Sequence, residues 1–571
     1  MLRRNWAGTR RRPLCRTLRT ASVLAVVIVA LAAGGQSVPA AAAAQRPEPR
    51  NLAAGRGYTW SQAPDAAYPD SGMELTDGRY GRLDRSDQAW VGHTRGKTRE
   101  VVIDLGGRKS VSRVTAHFMQ DWPTSSILVP LTVSMYVSND GASWAKLGDR
   151  ATQLLWGDGP PRDETYSWDG AADGFPDHNL KGTMAYARFV KVTFSVHTRA
   201  SQLLDEVQVL GFDGRTEQAV TPQPDHPAYL KPGPDTAGIS DLALLYNGYY
   251  PGGRGDWTKD RIIPYLEYVN TSGNPEGRLF DGILYLGLRS PNGRDFGTGE
   301  TKLPDWNWYL EKTFATEGDL QQLNEASKKV ADDLSRPDLR TKVVLMIPNP
   351  GELQTDFGDV DDDGVSENVN ESSVGREQAV ENREKIVRWW IDALRSRWAK
   401  AGYSHLKLSG LYWLDEQVST SASGPETLRH VSAAVHDNGF KLFWIPHFLA
   451  YKSYMWSDVG IDAAAFQPNY FFEEMDPLRI DDASGIARRY GMGVEVEFDE
   501  RMLTDDVFRN RYITYLNGGV EHGYMRNAFL AYYQGNDAVL QAARSGDPRQ
   551  RILYDWLHDF VRGTYKPQTT N

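Results

Sequence analysis

The chain has 571 residues, of which 40% are hydrophobic and 24% charged, with 64 basic residues against 74 acidic ones. This composition excludes a chain disordered throughout, and the length implies more than one domain. The acidic excess argues against nucleic acid or an anionic membrane surface as a partner.

Residues 1–44 have the grammar of a secretory signal peptide. Seven arginines precede the apolar run 21–33, and small residues ending in Ala40–Ala44 follow it. The run is too short to span a bilayer well. Loss of this leader leaves 57 basic residues against 74 acidic ones, a net charge of −17, in a secreted, extracellular protein with no membrane span. The single cysteine, Cys15, departs with it, so no disulfide, thiol nucleophile or cysteine metal site is expected.

Residues 51–212 read as short strands, at 100–105, 112–118, 131–138 and 187–194, separated by Gly, Asn and Asp turns such as Ser138-Asn139-Asp140-Gly141. This spacing predicts an antiparallel β-sandwich. Residues 213–236 contain Pro222, Pro224, Pro227, Pro232 and Pro234, the composition of an extended linker.

From residue 237 to 567 the pattern becomes strand–helix alternation. Strands are expected at 242–249, 282–287, 342–347, 408–414, 441–445, 464–469, 493–498 and 523–528. Helices include 376–400 and 424–438, the second closed by Asn438-Gly439. Eight such units predict a (β/α)8 TIM-type barrel. The expected fold class is therefore multidomain: an N-terminal β-sandwich and a C-terminal α/β barrel. A doubly wound open sheet is the alternative for the second part, but no Gly-rich phosphate loop supports it.

The most informative segment is Gly493-Val494-Glu495-Val496-Glu497-Phe498-Asp499. Side chains alternate along a strand, so the three acids share one face. Both faces of a barrel strand are covered, and three acids on the lumen face are costly unless they serve a site. Asp415-Glu416 ends the fourth strand, where barrel active sites lie. Glu473-Glu474 follows the sixth strand as a rim or cap. Glycoside hydrolysis needs two carboxyl groups about one bond. The expected catalytic residues are Glu416 as acid/base and Glu497 as nucleophile or base. Glu495 lies deeper and tunes Glu497, and these two roles are exchangeable. Tyr246, Asn247, Tyr412, Trp413, His447, Tyr470 and Arg526 are the expected substrate contacts, because aromatic faces and polar strand ends suit sugars. Which face of the fourth strand meets the lumen is left open by alternation alone.

Asp359, Asp361 and Asp363, with Gly364, open like a calcium loop, but Asn370 stands where an EF-hand has its bidentate Glu. A structural Ca2+ is a candidate there, and no cofactor is required for the chemistry. No zinc motif and no G-x-S-x-G elbow occurs.

Two resemblances extend this reading. Asn51-Leu52-Ala53, Leu75-Thr76-Asp77-Gly78, Val102-Ile103-Asp104-Leu105-Gly106 and Val137-Ser138-Asn139-Asp140-Gly141-Ala142-Ser143-Trp144 resemble the discoidin, or factor 5/8 type C, family. That likeness implies a jelly-roll module of a kind that often binds carbohydrate. Leu245-Tyr246-Asn247-Gly248, Phe280-Asp281-Gly282, Gly410-Leu411-Tyr412-Trp413-Leu414-Asp415-Glu416 and the Glu495 segment resemble the bacterial domain-of-unknown-function 4855 family. This second likeness implies a secreted barrel with glycan chemistry. The acids after strands four and seven are also similar to the large retaining-glycosidase superfamily, although Asp415 stands where an Asn commonly precedes the acid/base Glu. The resulting expectation is a secreted glycoside hydrolase acting on a polysaccharide or oligosaccharide. The alternatives are a non-catalytic glycan-binding protein and, with less support, a metal-dependent deacetylase or lyase.

Overall fold

The computed structural model describes residues 48–94, 97–154, 159–175, 178–195, 200–253, 255–473 and 478–570. The expected leader and Glu474 lie outside them. Residues 49–571 form one compact unit.

The N-terminal part is a sandwich, antiparallel except where Ala219–Val220 pairs parallel with Met184–Phe194, organised by one long strand, Arg99–Gln120. Its first half pairs with Met184–Phe194 and Tyr58–Trp60, and its second half with Ser201–Asp213 and Arg162–Asp169. The sequence suggested two strands here. They are continuous because Gly106, at φ 75°, bends the chain while partners on both sides keep the backbone bonded. Val101, Ile103, Leu105, Val114, Ala116 and Phe118 point inward with Trp168, Val190, Val192 and Val207. Burial of that apolar surface, at about 25 cal/mol per Å2, drives formation of this layer.

The C-terminal part is a closed barrel of eight parallel strands: Asp241–Tyr246, Gly282–Leu286, Thr341–Ile347, Leu406–Trp413, Lys441–Trp444, Ala463–Phe466, Gly493–Glu497 and Leu530–Tyr533. The first strand closes on the eighth, with Leu242 opposite Ala531. Every residue of the second and seventh strands is buried, as expected where helices cover one face and the other meets the lumen. Helix Arg376–Ala401 buries Ala379, Val380, Arg383, Ile386, Val387, Trp390, Ile391 and Leu394, the three-and-four spacing of one helical face, and Gly402 at φ 62° ends it. Helix Gly424–Asp437 ends at Asn438, followed by Gly439 at φ 73°. Between the fifth and sixth strands the only helical element is the single 3-10 turn Ser453–Met455. Among the described residues, no helix is long and apolar enough to cross a membrane.

The eighth strand is not at 523–528. Gly523, at φ 81°, instead starts the one-turn helix Tyr524–Asn527, with Asn527 Nδ2 bonded back to Gly523 O. Leu530–Tyr533, a run of apolar and aromatic residues, takes the strand position.

Residues 213–236 are extended but bonded to both sides. The Asp225 amide donates to Trp144 O at 2.8 Å, the Leu230 amide donates to Met492 O at 3.1 Å, and Leu230 O accepts from the Phe529 amide at 2.7 Å. Helix Leu478–Tyr490 carries a second connection. Asp481 pairs with Lys97 at 2.7 Å, Asp482 accepts from the Thr98 amide at 3.0 Å, and the Tyr490 hydroxyl lies 3.2 Å from that of Ser134. In the loop after the fifth strand, the Tyr451 hydroxyl donates to Thr152 O at 3.1 Å.

Candidate active site

Side chains two apart converge from the C-terminal ends of the barrel strands. Leu244 and Tyr246 come from the first strand, Leu286 and Leu288 from the second, and Tyr412, Leu414 and Glu416 from the fourth. Ile445 and His447 extend the fifth, Gln467 follows the sixth, and Glu495 and Tyr533 belong to the seventh and eighth. With Asp295, Thr298, Asp415 and Gln417 they line a cavity of about 470 Å3. This settles the fourth strand: Tyr412 and Glu416 face the lumen. Trp413 lines an adjoining cavity of about 210 Å3, which shares Thr298, Asp415 and Gln417 with the first.

The cavity has an aromatic side and an acidic side. Tyr246 and Tyr533 meet edge to face at 5.8 Å, and Phe472 backs Tyr533 at 5.2 Å. Glu495 is completely buried, and neither of its carboxylate oxygens has a hydrogen-bond partner. Burial, then the neighbouring Glu497 and Glu416 charges, raises its pKa well above the ordinary carboxylate range. Glu416 reaches the water in the cavity yet is enclosed on most sides by protein, and that enclosure raises its pKa too. The Gln467 amide weakly opposes the rise at both residues, without a well-formed bond to either Glu495 oxygen. Burial also pushes Asp415 up to about 7, helped by Glu416 and Glu352 and opposed by the Gln417 amide. Asn349 Nδ2 donates to Asp415 Oδ2 at 3.2 Å and fixes its orientation.

His447 is pushed down to about 4, first by burial and then by the Arg479 charge. Its Nδ1 accepts from the Leu449 amide at 3.2 Å. In the neutral ring the proton therefore sits on Nε2, which is a donor.

The structure separates the other expected residues from this cavity. Glu497 shares the strand face of Glu495 but not its place. Glu497 Oε2 accepts from the Asn469 amide at 2.6 Å and from the Tyr515 hydroxyl, which tie it to the sixth strand's end and to helix Asp506–Glu521. Asp499 pairs with Arg501. Asn247 is buried and saturated: its amide donates to Thr313 and Asp319, and its oxygen accepts from Tyr309. Tyr470 packs edge-on against Tyr515 outside the cavity. Arg526 belongs to the one-turn helix before the eighth strand, and its guanidinium donates twice to Gly563 O, at 3.0 and 2.7 Å. A residue preceding a barrel strand lies at the end opposite the strand C-termini.

Sequence reasoning missed Asp295, Gln467 and Tyr533. Gln467 lay within the expected sixth strand and differed from its neighbours only in being polar. Tyr533 was hidden by the misplaced eighth strand. Asp295 sits in a loop and had no sequence signal.

Asp359, Asp361 and Asp363 converge, with one oxygen of each within 4.8 Å of the others. Asp359 also accepts from the amides of Asp363 and Gly364, at 3.2 and 2.7 Å. Lys385 Nζ stands 2.6 Å from Asp361 and 2.7 Å from Glu367, so an ammonium already neutralises part of this charge.

The model of the family described as "Domain of unknown function (DUF4855)" matches residues 241–559, the whole barrel from its first strand through most of its last helix. The chain belongs to this family. No curated protein matches it. Among solved structures, similar chains include chitosan-binding module 1, derived from a chitosanase/glucanase of Paenibacillus sp. IK-5. It is 22% identical, covers 28% of this chain and 99% of its own, and has a TM-score of 0.20. The lectin domain of lectinolysin complexed with Lewis B antigen is 16% identical over 28% of this chain and 97% of its own, with a TM-score of 0.20. A Streptococcus pneumoniae fucose binding module is 18% identical over 28% and 96%, also at 0.20. Likenesses of this size say nothing about what the present chain binds.

Proposed function

We propose that the barrel is a secreted glycoside hydrolase that cleaves an O-glycosidic bond of an oligosaccharide or polysaccharide in the 470 Å3 cavity. Its scaffold is read as a TIM-type barrel. The observation that carries this reading is Glu495: a fully buried carboxyl with both oxygens unpartnered, lining a cavity that also contains Glu416. Burying such a group without partners costs free energy, and a cavity that presents it to a ligand is a reason for keeping it.

The two carboxyls have different environments, as acid and base must. Glu495, deeper and the more strongly raised, holds a proton and donates it to the leaving oxygen. Glu416, reached by water, provides the carboxylate that attacks or activates water. The pair thus becomes Glu416 and Glu495 in place of Glu416 and Glu497, with Glu497 keeping its neighbour's pKa high. Tyr246 and Tyr533 offer ring faces to the sugar, and His447 Nε2 offers a hydrogen bond to a hydroxyl. We also propose that the Asp359 loop takes a structural calcium ion, which would have to displace Lys385.

The test is release of reducing ends from a panel of bacterial and plant polysaccharides by wild type, Glu416→Gln, Glu495→Gln and Glu497→Gln. The expected result is cleavage by wild type, a loss of roughly 10^2-fold or more in the first two variants, and a smaller loss in the third. A folded wild type that binds glycan through the barrel but releases nothing would make the barrel a binding protein instead.

A further inference from the structure

The charges that line the cavity are one-sided, although the Arg479 charge lies close enough behind the wall to act on His447. Asp295, Asp415, Glu416 and Glu495 line the cavity, and among the described residues no lysine or arginine does. None of these four carboxyls has a salt bridge among the described residues. The one basic ring at the wall, His447, carries no charge in the neutral range. The cation that lines the adjoining cavity, Arg383, is buried against Ser423, Thr427 and Val369 O.

A hydrolase acting on a neutral sugar requires two carboxyls, and this cavity holds four. A metal ion is a poor fit for the surplus. Among the described residues, the only set of three or more acidic or histidine side chains converging within 4.8 Å is the Asp359 loop, so no three of the cavity acids close on one ion as a metal site requires. An extended ligand with its own positive charge suits them better. Glu495 adds an independent sign of a ligand, since its two buried oxygens have no protein donor. An ammonium group supplies three donors and one charge, which neighbouring carboxylates at the wall can share.

We infer that the cavity selects a glycan bearing a free amine, a 2-amino-2-deoxy-hexose unit, with Asp415 and Asp295 holding the ammonium beside the Glu416–Glu495 pair. This inference rests on the proposed glycan function of the barrel but not on cleavage. Asp415, bonded to Asn349, is the positioned partner, and Asp295 contributes from the loop after the second strand. N-acetylation removes the charge and adds bulk, so the acetylated sugar loses these contacts and leaves the carboxylates unpaired.

The experiment measures binding of glucosamine, galactosamine, mannosamine and a glucosamine tetramer to the full chain at pH 7 and at pH 8, where Asp415 is increasingly ionised, each beside its N-acetyl form. Wild type is compared with Asp295→Asn and Asp415→Asn, with near-UV circular dichroism used to verify folding. At least one amine is expected to bind about tenfold or more tightly than its acetylated form. That preference should fall in the folded Asn variants and shrink in high salt. Equal or weaker binding of every amine overturns the inference. So does a preference that both folded Asn variants retain, because the amine would then be bound elsewhere. Reducing-end release is followed in parallel. Cleavage of neutral glycans without amine preference keeps the hydrolase reading and removes this inference. Amine-selective binding that depends on Asp415, without cleavage, does the reverse. Asp295, which is partly exposed on its loop, keeps the test open if Asp415→Asn does not fold.

Discussion

In the sandwich, Asp87 is held by Arg79 and Arg82, Asp104 by Arg188 and Asp169 by Arg113. In the barrel, Asp295, Asp415, Glu416 and Glu495 share one cavity without a cation among the described residues that line it. The first set has pKa values lowered by its partners, and the shifted members of the second have theirs raised by burial. The contrast separates two uses of the same side chain. A paired carboxylate favours the fold in which the pair forms. An unpaired buried one opposes folding, and its retention points to a ligand or a reaction.

The largest expected effect tests that division directly. Glu495→Gln should reduce glycan cleavage by roughly 10^2-fold or more, measured as kcat/KM, while Asp87→Asn in the sandwich should lower Tm and leave the rate on a soluble oligosaccharide near wild type. If Asp87→Asn abolishes cleavage of that oligosaccharide in a folded protein, the division fails.

The second effect is on pH dependence. A proton held by a raised carboxyl gives activity that persists through neutrality and falls on the basic side, above the usual carboxylate range. A profile of kcat/KM from pH 4 to 9 with its basic limb below pH 5 would contradict the raised values.

The third effect concerns stability and has the opposite sign to the first. Between the ordinary carboxylate pKa near 4 and the raised folded values, the native state binds more protons than the unfolded chain. Its stability therefore falls as pH rises through that window. Glu495→Gln removes this penalty, so the variant should be more stable than wild type at pH 8, with the gap closing near pH 4. Urea unfolding at the two pH values measures it. A variant that is less stable at pH 8 would mean that the carboxylate has a partner.

The smallest effects lie at the edges of the two regions. Tyr451→Phe removes the bond from the barrel loop to Thr152 O and should cost about 1 kcal/mol or less. Because Ala450, next to it, lines the cavity, KM should rise modestly while kcat holds. Calcium should raise Tm by a small amount, and by more in Lys385→Met, where the competing ammonium is gone. Unchanged melting in both would remove the calcium proposal.

The two halves also differed in how legible they were. Seven of the eight barrel strands lay close to where alternation and apolar runs put them, and Asn438-Gly439 marked a helix end correctly. Buried parallel strands are continuous apolar runs, and helix ends have local chemistry, so both are written in neighbouring residues. The eighth strand was misplaced because Gly523–Ala528 and Phe529–Tyr533 are both short and largely apolar. Closure against Asp241–Tyr246 decides between them. In the sandwich, the continuity of Arg99–Gln120 through Gly106 depends on partners more than 70 residues away.

By itself, the sequence determined that acids from the fourth and seventh strands gather at one end of the barrel, since strand order and side-chain alternation are local properties of the chain. Only the tertiary structure decided which of them share a cavity. Glu495 and Glu497 stand two residues apart on one strand and have the same chemistry. One faces open space without a partner, and the other is bonded to Tyr515, a helix residue 18 positions along the chain. The physical reason is that a carboxyl's role depends on what surrounds it, and those surroundings are assembled from several strands at once.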